Sequence, residues 1–269
     1  MGSAEDVNMI ARFISCEDIP DLRTVEPVDC MILCVSSVLH SCNTVFDIIQ
    51  ARPNITKTLV LCGGIGHSTE PIYDAVAQHP RFREVATDIR GLPEARVLHA
   101  IFQRFYASRF SDKHPAPQVL LEDRSITCTT NAIEARKLLE TYGINQPDSM
   151  IIIQDPTMVR RTLECFKKVY EDIPRSPRFK GCPVFVPLVK SDADDQLVFS
   201  TPDIPQAQMW PMPRYLELVM GEAPRMRDDE NGYGPMGKGF IPHVNIPEDV
   251  EQAYNRLCQV IPNRRYKST

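Results

Sequence analysis

The chain has no apolar stretch near the ~20 residues that a membrane-spanning helix needs. Glu5, Asp6, Arg12, Glu17 and Asp18 interrupt every apolar segment at the N-terminus, so no signal peptide is expected there. A basic surplus is missing as well: 30 lysines and arginines face 35 acids, a formal net charge of −5. Nucleic-acid phosphates need the opposite balance, so nucleic acid is not an expected partner. The nine cysteines form no C-x-x-C pair and no zinc-type spacing with histidine. His40-Ser41-Cys42 is too small a fragment to make a metal centre, and no metal is expected. Cys30, Cys34 and Cys62 lie in apolar runs, as small buried hydrophobes do. These absences point to a soluble, cytoplasmic protein with reduced thiols.

Several catalytic signatures are absent too. There is no G-x-x-x-x-G-K-[ST], which disfavours a P-loop NTPase, and no H-E-x-x-H. No G-x-S-x-G elbow of the α/β-hydrolases occurs. Ser68 and Cys128 remain as nucleophile candidates, but neither has an identifiable base.

What the chain does have is clearest at residues 59–69, LVLCGGIGHST. An apolar run, Leu59 to Cys62, stops at Gly63-Gly64. Gly66 and His67 follow, and a helical pattern then begins with Ile72, Ala75 and Val76. Strand, glycine turn and helix bring bare backbone close to a ligand in α/β sheets. The spacing Gly64-x-Gly66 suits a dinucleotide loop, although Thr69 stands where a third glycine would be.

The rest of the chain alternates in the same way. Strands are expected at 29–35, 58–62, 118–121, 150–153 and 182–186. Helices are expected near 7–16, 44–50, 70–78, 93–106, 131–142, 213–220 and 248–260, and another opens at Pro156. Asn131 and Glu134 form a capping pair for the fifth of these, with Gly143 as its C-cap. The alternation implies an α/β domain over 26–200, a mostly parallel sheet with helices on both faces. Residues 1–25 and 201–269 are expected to pack together as a smaller, mainly helical part.

Ligands of parallel sheets bind at the C-terminal strand ends, and each polar cluster here follows an expected strand. Ser36 and Ser37 follow the first, and Gly63 to Thr69 the second. Glu122, Asp123, Arg124 and Ser125 follow the third. Gln154, Asp155, Pro156 and Thr157, with Arg160 and Arg161, follow the fourth. One shared crevice is therefore expected. Arg160, about one turn inside a helix, could hold a carboxylate or phosphate, or it could be a solvated charge beside Arg161. Glu122 could bind a ribose, accept protons or pair with Arg124. His67 fits an acid–base group or a polar helix cap. Glu94 opens a helix, where an acid is favourable in any case. The loop from Arg225 to Phe240 could be a lid or a plain surface connection.

The sequence resembles the YdcF-like branch of the ElyC/SanA/YdcF family. The matching stretches are GGIGHST at 63–69, AQHP at 77–80, LEDRS and TNA within 121–132, and QDPTMVRRT at 154–162. The tail RDDENGYGPMGKGFIPHVNIP at 227–247 matches as well, so the likeness runs from about residue 28 to about 254. The resemblance implies a Rossmann-like domain with a smaller helical domain beside a cleft, and S-adenosylmethionine as ligand. Methyl transfer is an extrapolation from that ligand. By motif matching, the cleft would be lined by Gly63, Gly64, Gly66, His67, Glu94, Glu122, Ser125 and Asn131, with Gln154, Thr157, Arg160 and Arg161. The family usually carries a glycine-containing turn after the first strand, whereas this chain has Cys34-Val35-Ser36-Ser37. The expected function is binding of S-adenosylmethionine or a similar nucleotide-like ligand, with transferase chemistry in which His67, Glu94 or Glu122 moves a proton. A hydrolase or phosphoryl-transfer enzyme on a small anionic substrate is the second expectation. A non-catalytic ligand sensor is the third.

Overall fold

The computed structural model describes residues 3–66, 69–201 and 203–261. Five strands, β1 (Val28–Cys34), β2 (Thr56–Cys62), β3 (Gln118–Glu122), β4 (Ser149–Ile153) and β5 (Arg178–Cys182), form one parallel sheet. Their order is β3-β2-β1-β4-β5, a Rossmann-like arrangement. Between and around them run the helices α1 (Ala4–Ser15), α2 (His40–Ala51), α3 (Thr69–Gln78), α4 (Glu94–Phe105), α5 (Cys128–Thr141) and α6 (Val159–Val169). A short antiparallel hairpin follows, β6 (Val189–Ser191) with β7 (Leu197–Phe199), and then α7 (Met212–Met226) and α8 (Glu248–Val260). No helix among the described residues is long and apolar enough to cross a membrane.

The continuous apolar strands have a simple cause, since both faces of this sheet are covered. Side chains alternate between the faces with period two. Met31, Leu33, Leu59, Leu61, Ile151 and Ile153 meet α2, α3 and α4 in one core. Cys30, Ile32, Cys34, Val60, Cys62, Met150 and Ile152 enter a second core, which runs through α5 and α6 to α1, α7 and α8. The early helix and the late ones therefore do pack together, and they share the core of the second sheet face. Asp6 in α1 pairs with Arg256 in α8, whose Nε lies 3.1 Å away.

Several local features refine the sequence reading: α2 begins at His40, four residues early, α7 runs on to Met226, and the β6–β7 hairpin was not expected. β5 ends at Cys182, where residues 182–186 were expected to form the strand. It is an edge strand with solvent-facing Arg178 and Lys180, which hides its apolar pattern, and Val184 beyond it has φ +71° and cannot continue a strand. Helix α5 starts at Cys128, three residues early. Thr127 caps it, accepting from the Thr130 amide at 3.1 Å while the Thr130 hydroxyl accepts from the Thr127 amide at 2.9 Å. Asn131 sits inside the first turn. The loop from Arg225 to Phe240 is closed on itself by backbone hydrogen bonds, among them Tyr233 to Arg225, Gly234 to Arg227 and Lys238 to Gly232.

Helices α6 and α7 are joined through charge. Arg161 donates to the Glu222 carboxylate at 2.6 and 3.0 Å, and Glu222 is 2% exposed. Removing one member of such a pair leaves the other buried without a counter-charge. Glu222→Ala is expected to lower unfolding stability by about 3–5 kcal/mol, read from urea denaturation.

Candidate functional site

The strand order reverses at β1 and β4, so the loops leaving their C-terminal ends part and open a crevice. A cleft of about 660 Å³ occupies this position. Its floor is the turn Val35–Leu39 with Asp155 and Met158. One wall is α3, through Pro71, Asp74, Ala75 and Gln78, continued by His79. The opposite wall is the segment from Pro205 to Pro211 with Arg214 and Leu218 of α7.

Asp155 ties these parts together. It is 3% exposed. Its Oδ2 accepts from the Ser36 hydroxyl at 2.7 Å, and its Oδ1 accepts from the Thr157 amide at 3.0 Å and hydroxyl at 2.6 Å. The indole of Trp210, the chain's single tryptophan, stands beside this carboxylate and favours its charged form. Gln154 accepts from the Asp155 amide at 2.7 Å. Burial raises the Asp155 pKa, and the donors from Thr157, Ser36 and Trp210 pull it back. The turn after β1 and the turn after β4 thus share one acceptor group, with Trp210 of the far wall beside it. His79 presents a neutral imidazole. Its Nδ1 accepts from the amides of Arg81 and Phe82 at 3.2 and 3.1 Å, which assigns the proton to Nε2. Burial, then the Arg81 charge, lowers its pKa.

The glycine turn forms a second cluster, at the ends of β2 and β3. The Gly63 amide donates to the Glu122 carbonyl at 2.9 Å, and the Gly64 amide to the Ser125 carbonyl at 2.7 Å. The carbonyls of Gly63 and Gly64 accept from Ala95 and Glu94, the first two residues of α4. Both glycines are therefore fully occupied by neighbouring backbone and offer no free amide cradle. Their lack of a Cβ is what lets three loops meet. A Cβ on Gly64 would lie 2.5 Å from the Ser125 carbonyl oxygen, and one on Gly63 2.7 Å from Glu94 Oε2.

Glu94 is 7% exposed and accepts from the Thr69 hydroxyl at 2.9 Å. That hydroxyl in turn accepts from the Gly66 amide at 2.8 Å. Burial pushes the Glu94 carboxyl up to about 7, against the smaller opposing pull of Thr69. Glu122 accepts from the Arg124 and Ser125 amides, each at 2.8 Å, and from the Ser125 hydroxyl, so it braces its own loop. His67 and Ser68 lie outside the described residues.

The expected convergence is therefore partial. Ser36, Ser37 and Asp155 line the cleft, with Gln154 and Thr157 bonded to Asp155. Gly63, Gly64, Gly66, Glu94, Glu122 and Ser125 form the neighbouring cluster and are not in the cleft lining. Asn131 is buried in the first turn of α5. The two arginines face away. Arg160 donates to the Phe13 carbonyl at 2.6 Å, at the end of α1, and its guanidinium lies 4.3 Å from the Phe13 ring centroid. Arg161 is held by Glu222. The sequence reading missed Asp74, His79, Trp210 and Arg214. A lone tryptophan among the prolines of 205–213 was the available signal. Among the described residues, no three histidine, cysteine or acidic side chains are grouped as a metal site. No family model matches the chain.

Two outcomes follow from the second cluster. The folded pKa of Glu94 lies above its ordinary 4.5, so its contribution to stability is complete below about pH 4.5 and is lost as pH rises through about 7. Relative to Glu94→Gln, the wild-type protein should lose roughly 3 kcal/mol of unfolding stability between those limits. Equal slopes for the two proteins in pH-dependent denaturation contradict this. Gly64→Ala should cost about 3 kcal/mol, because its Cβ meets backbone that cannot yield cheaply.

Proposed function

We propose that this protein binds S-adenosylmethionine, or a similar nucleotide-like small molecule, in the crevice between the ends of β1 and β4, as the resemblance to YdcF-like proteins suggests. The observation that carries this reading is the cleft itself. It lies at the position where open α/β sheets take their ligands, and about 660 Å³ falls within the size range of small-molecule sites. Its chemistry fits as well. Trp210 and His79 bring flat rings, Met158 and Met209 polarizable sulfur, and Ser37 and Asp74 polar atoms suited to hydroxyls.

A transferase role draws support from Glu94. A carboxyl titrating near neutrality is suited to general acid–base work, and Glu94 is bonded to Thr69, the first residue of α3, the helix of the cleft wall. The anionic-substrate hydrolase rested on Arg160, Arg161 and the helix termini, and both of these guanidiniums are engaged elsewhere. The lid of the sensor reading is likewise unsupported by a loop so fully bonded to itself.

Isothermal calorimetry with S-adenosylmethionine tests the proposal. The wild-type protein should bind it, and Ala75→Trp, which fills the cleft from the α3 wall, should lower affinity at least tenfold with the thermal transition retained. No binding at millimolar ligand rejects the reading.

A further inference from the structure

The cleft is charged unevenly. Asp74 stands on the α3 wall and is half-committed to Arg90, 3.6 Å away. Asp155 on the floor already accepts three hydrogen bonds, from the Ser36 hydroxyl and from the Thr157 amide and hydroxyl. The opposite wall carries Arg214, the single arginine or lysine in the lining among the described residues. Arg214 lies in the first turn of α7, where the helix dipole adds positive potential. Its side chain is 39% exposed, and its ionic partner is Glu217, one turn further along at 3.5 Å. An ion pair of that length between exposed groups is weak. The guanidinium therefore keeps donors available to the cleft, unlike Arg160 and Arg161.

We infer that Arg214 holds an anionic group of the ligand, so that the cleft takes a molecule with a carboxylate at its α7 side and a neutral or cationic body toward α3. This assignment rests on the ligand reading above and specifies it. Guanidinium and carboxylate match as a charge-assisted, two-pronged pair, and lysine reproduces the charge without the fork. In S-adenosylmethionine the matching group is the carboxylate of the amino-acid arm. The adenosine part and the sulfonium are left to the aromatic, serine and acidic surfaces.

Calorimetry with three probes tests this: S-adenosylmethionine, its decarboxylated analogue, and 5′-methylthioadenosine. Arg214→Ala should weaken S-adenosylmethionine about 10- to 100-fold, as loss of a charge-assisted hydrogen bond does. It should leave the other two probes unchanged, which also shows that the variant is folded. Arg214→Lys should restore part of the loss. If Arg214→Ala binds S-adenosylmethionine as wild type does, or weakens all three probes equally, the Arg214 assignment falls and the ligand reading stands. If wild-type protein binds none of the three, both fall.

Discussion

A single buried carboxylate sets the geometry of the crevice. Isolated burial of an acid is costly, and it is tolerated where the lone pairs are filled. Asp155 meets that condition through Ser36 and Thr157, with the Trp210 indole beside them. These residues come from the turn after β1, the turn after β4 and the proline-rich stretch before α7. The electrostatic requirement of one side chain thus fixes where three unrelated stretches of chain must stand, and the space left between them is the cleft. Asp155 acts by positioning. The groups left with capacity for a ligand are at the periphery, on α3 and α7.

The neighbouring cluster obeys a steric requirement. The ends of β2 and β3 and the start of α4 approach so closely that two consecutive residues must lack side chains. The close approach encloses Glu94 and gives it an acidity unlike that of a surface glutamate. Both clusters occupy the C-terminal edge of the sheet, yet they arise from different physics, one from filled acceptors and the other from close backbone contact.

Much of the architecture was legible because parallel strands covered on both faces read as apolar runs. Leu59 to Cys62 and Met150 to Ile153 could hardly be anything else. β5 was misplaced because an edge strand alternates charge with bulk. The polar clusters were found because they follow strands. The direction of a long side chain is a different matter. Arg160 and Arg161 occupy adjacent positions in sequence, yet one reaches the end of α1 and the other a carboxylate on α7. Neither destination has a signature near them in the chain. Trp210 went unnoticed for a related reason, since the proline-rich stretch before α7 has no periodicity, and Arg214 lies in an expected helix with nothing near it in the chain to mark the face turned to the cleft. The glycines were read as a place where backbone nears a ligand, and what approaches them is the protein's own backbone.

Helix α1 presents Val7, Ile10 and Ile14 to a core built with α6, α7 and α8. On the ribosome it is made before all of them. Its greasy stripe must therefore stay uncovered through most of synthesis, and the sheet's second layer can be sealed only when the last of these helices emerges. Folding of this half is thereby late and dependent on contacts distant along the chain, whereas the α2–α4 side draws only on β4 and on Cys182 of β5 from beyond the first half of the chain. A translation pause or truncation ahead of α8 would leave the nascent polypeptide sticky on one side and finished on the other, the kind of species that holdase chaperones retain.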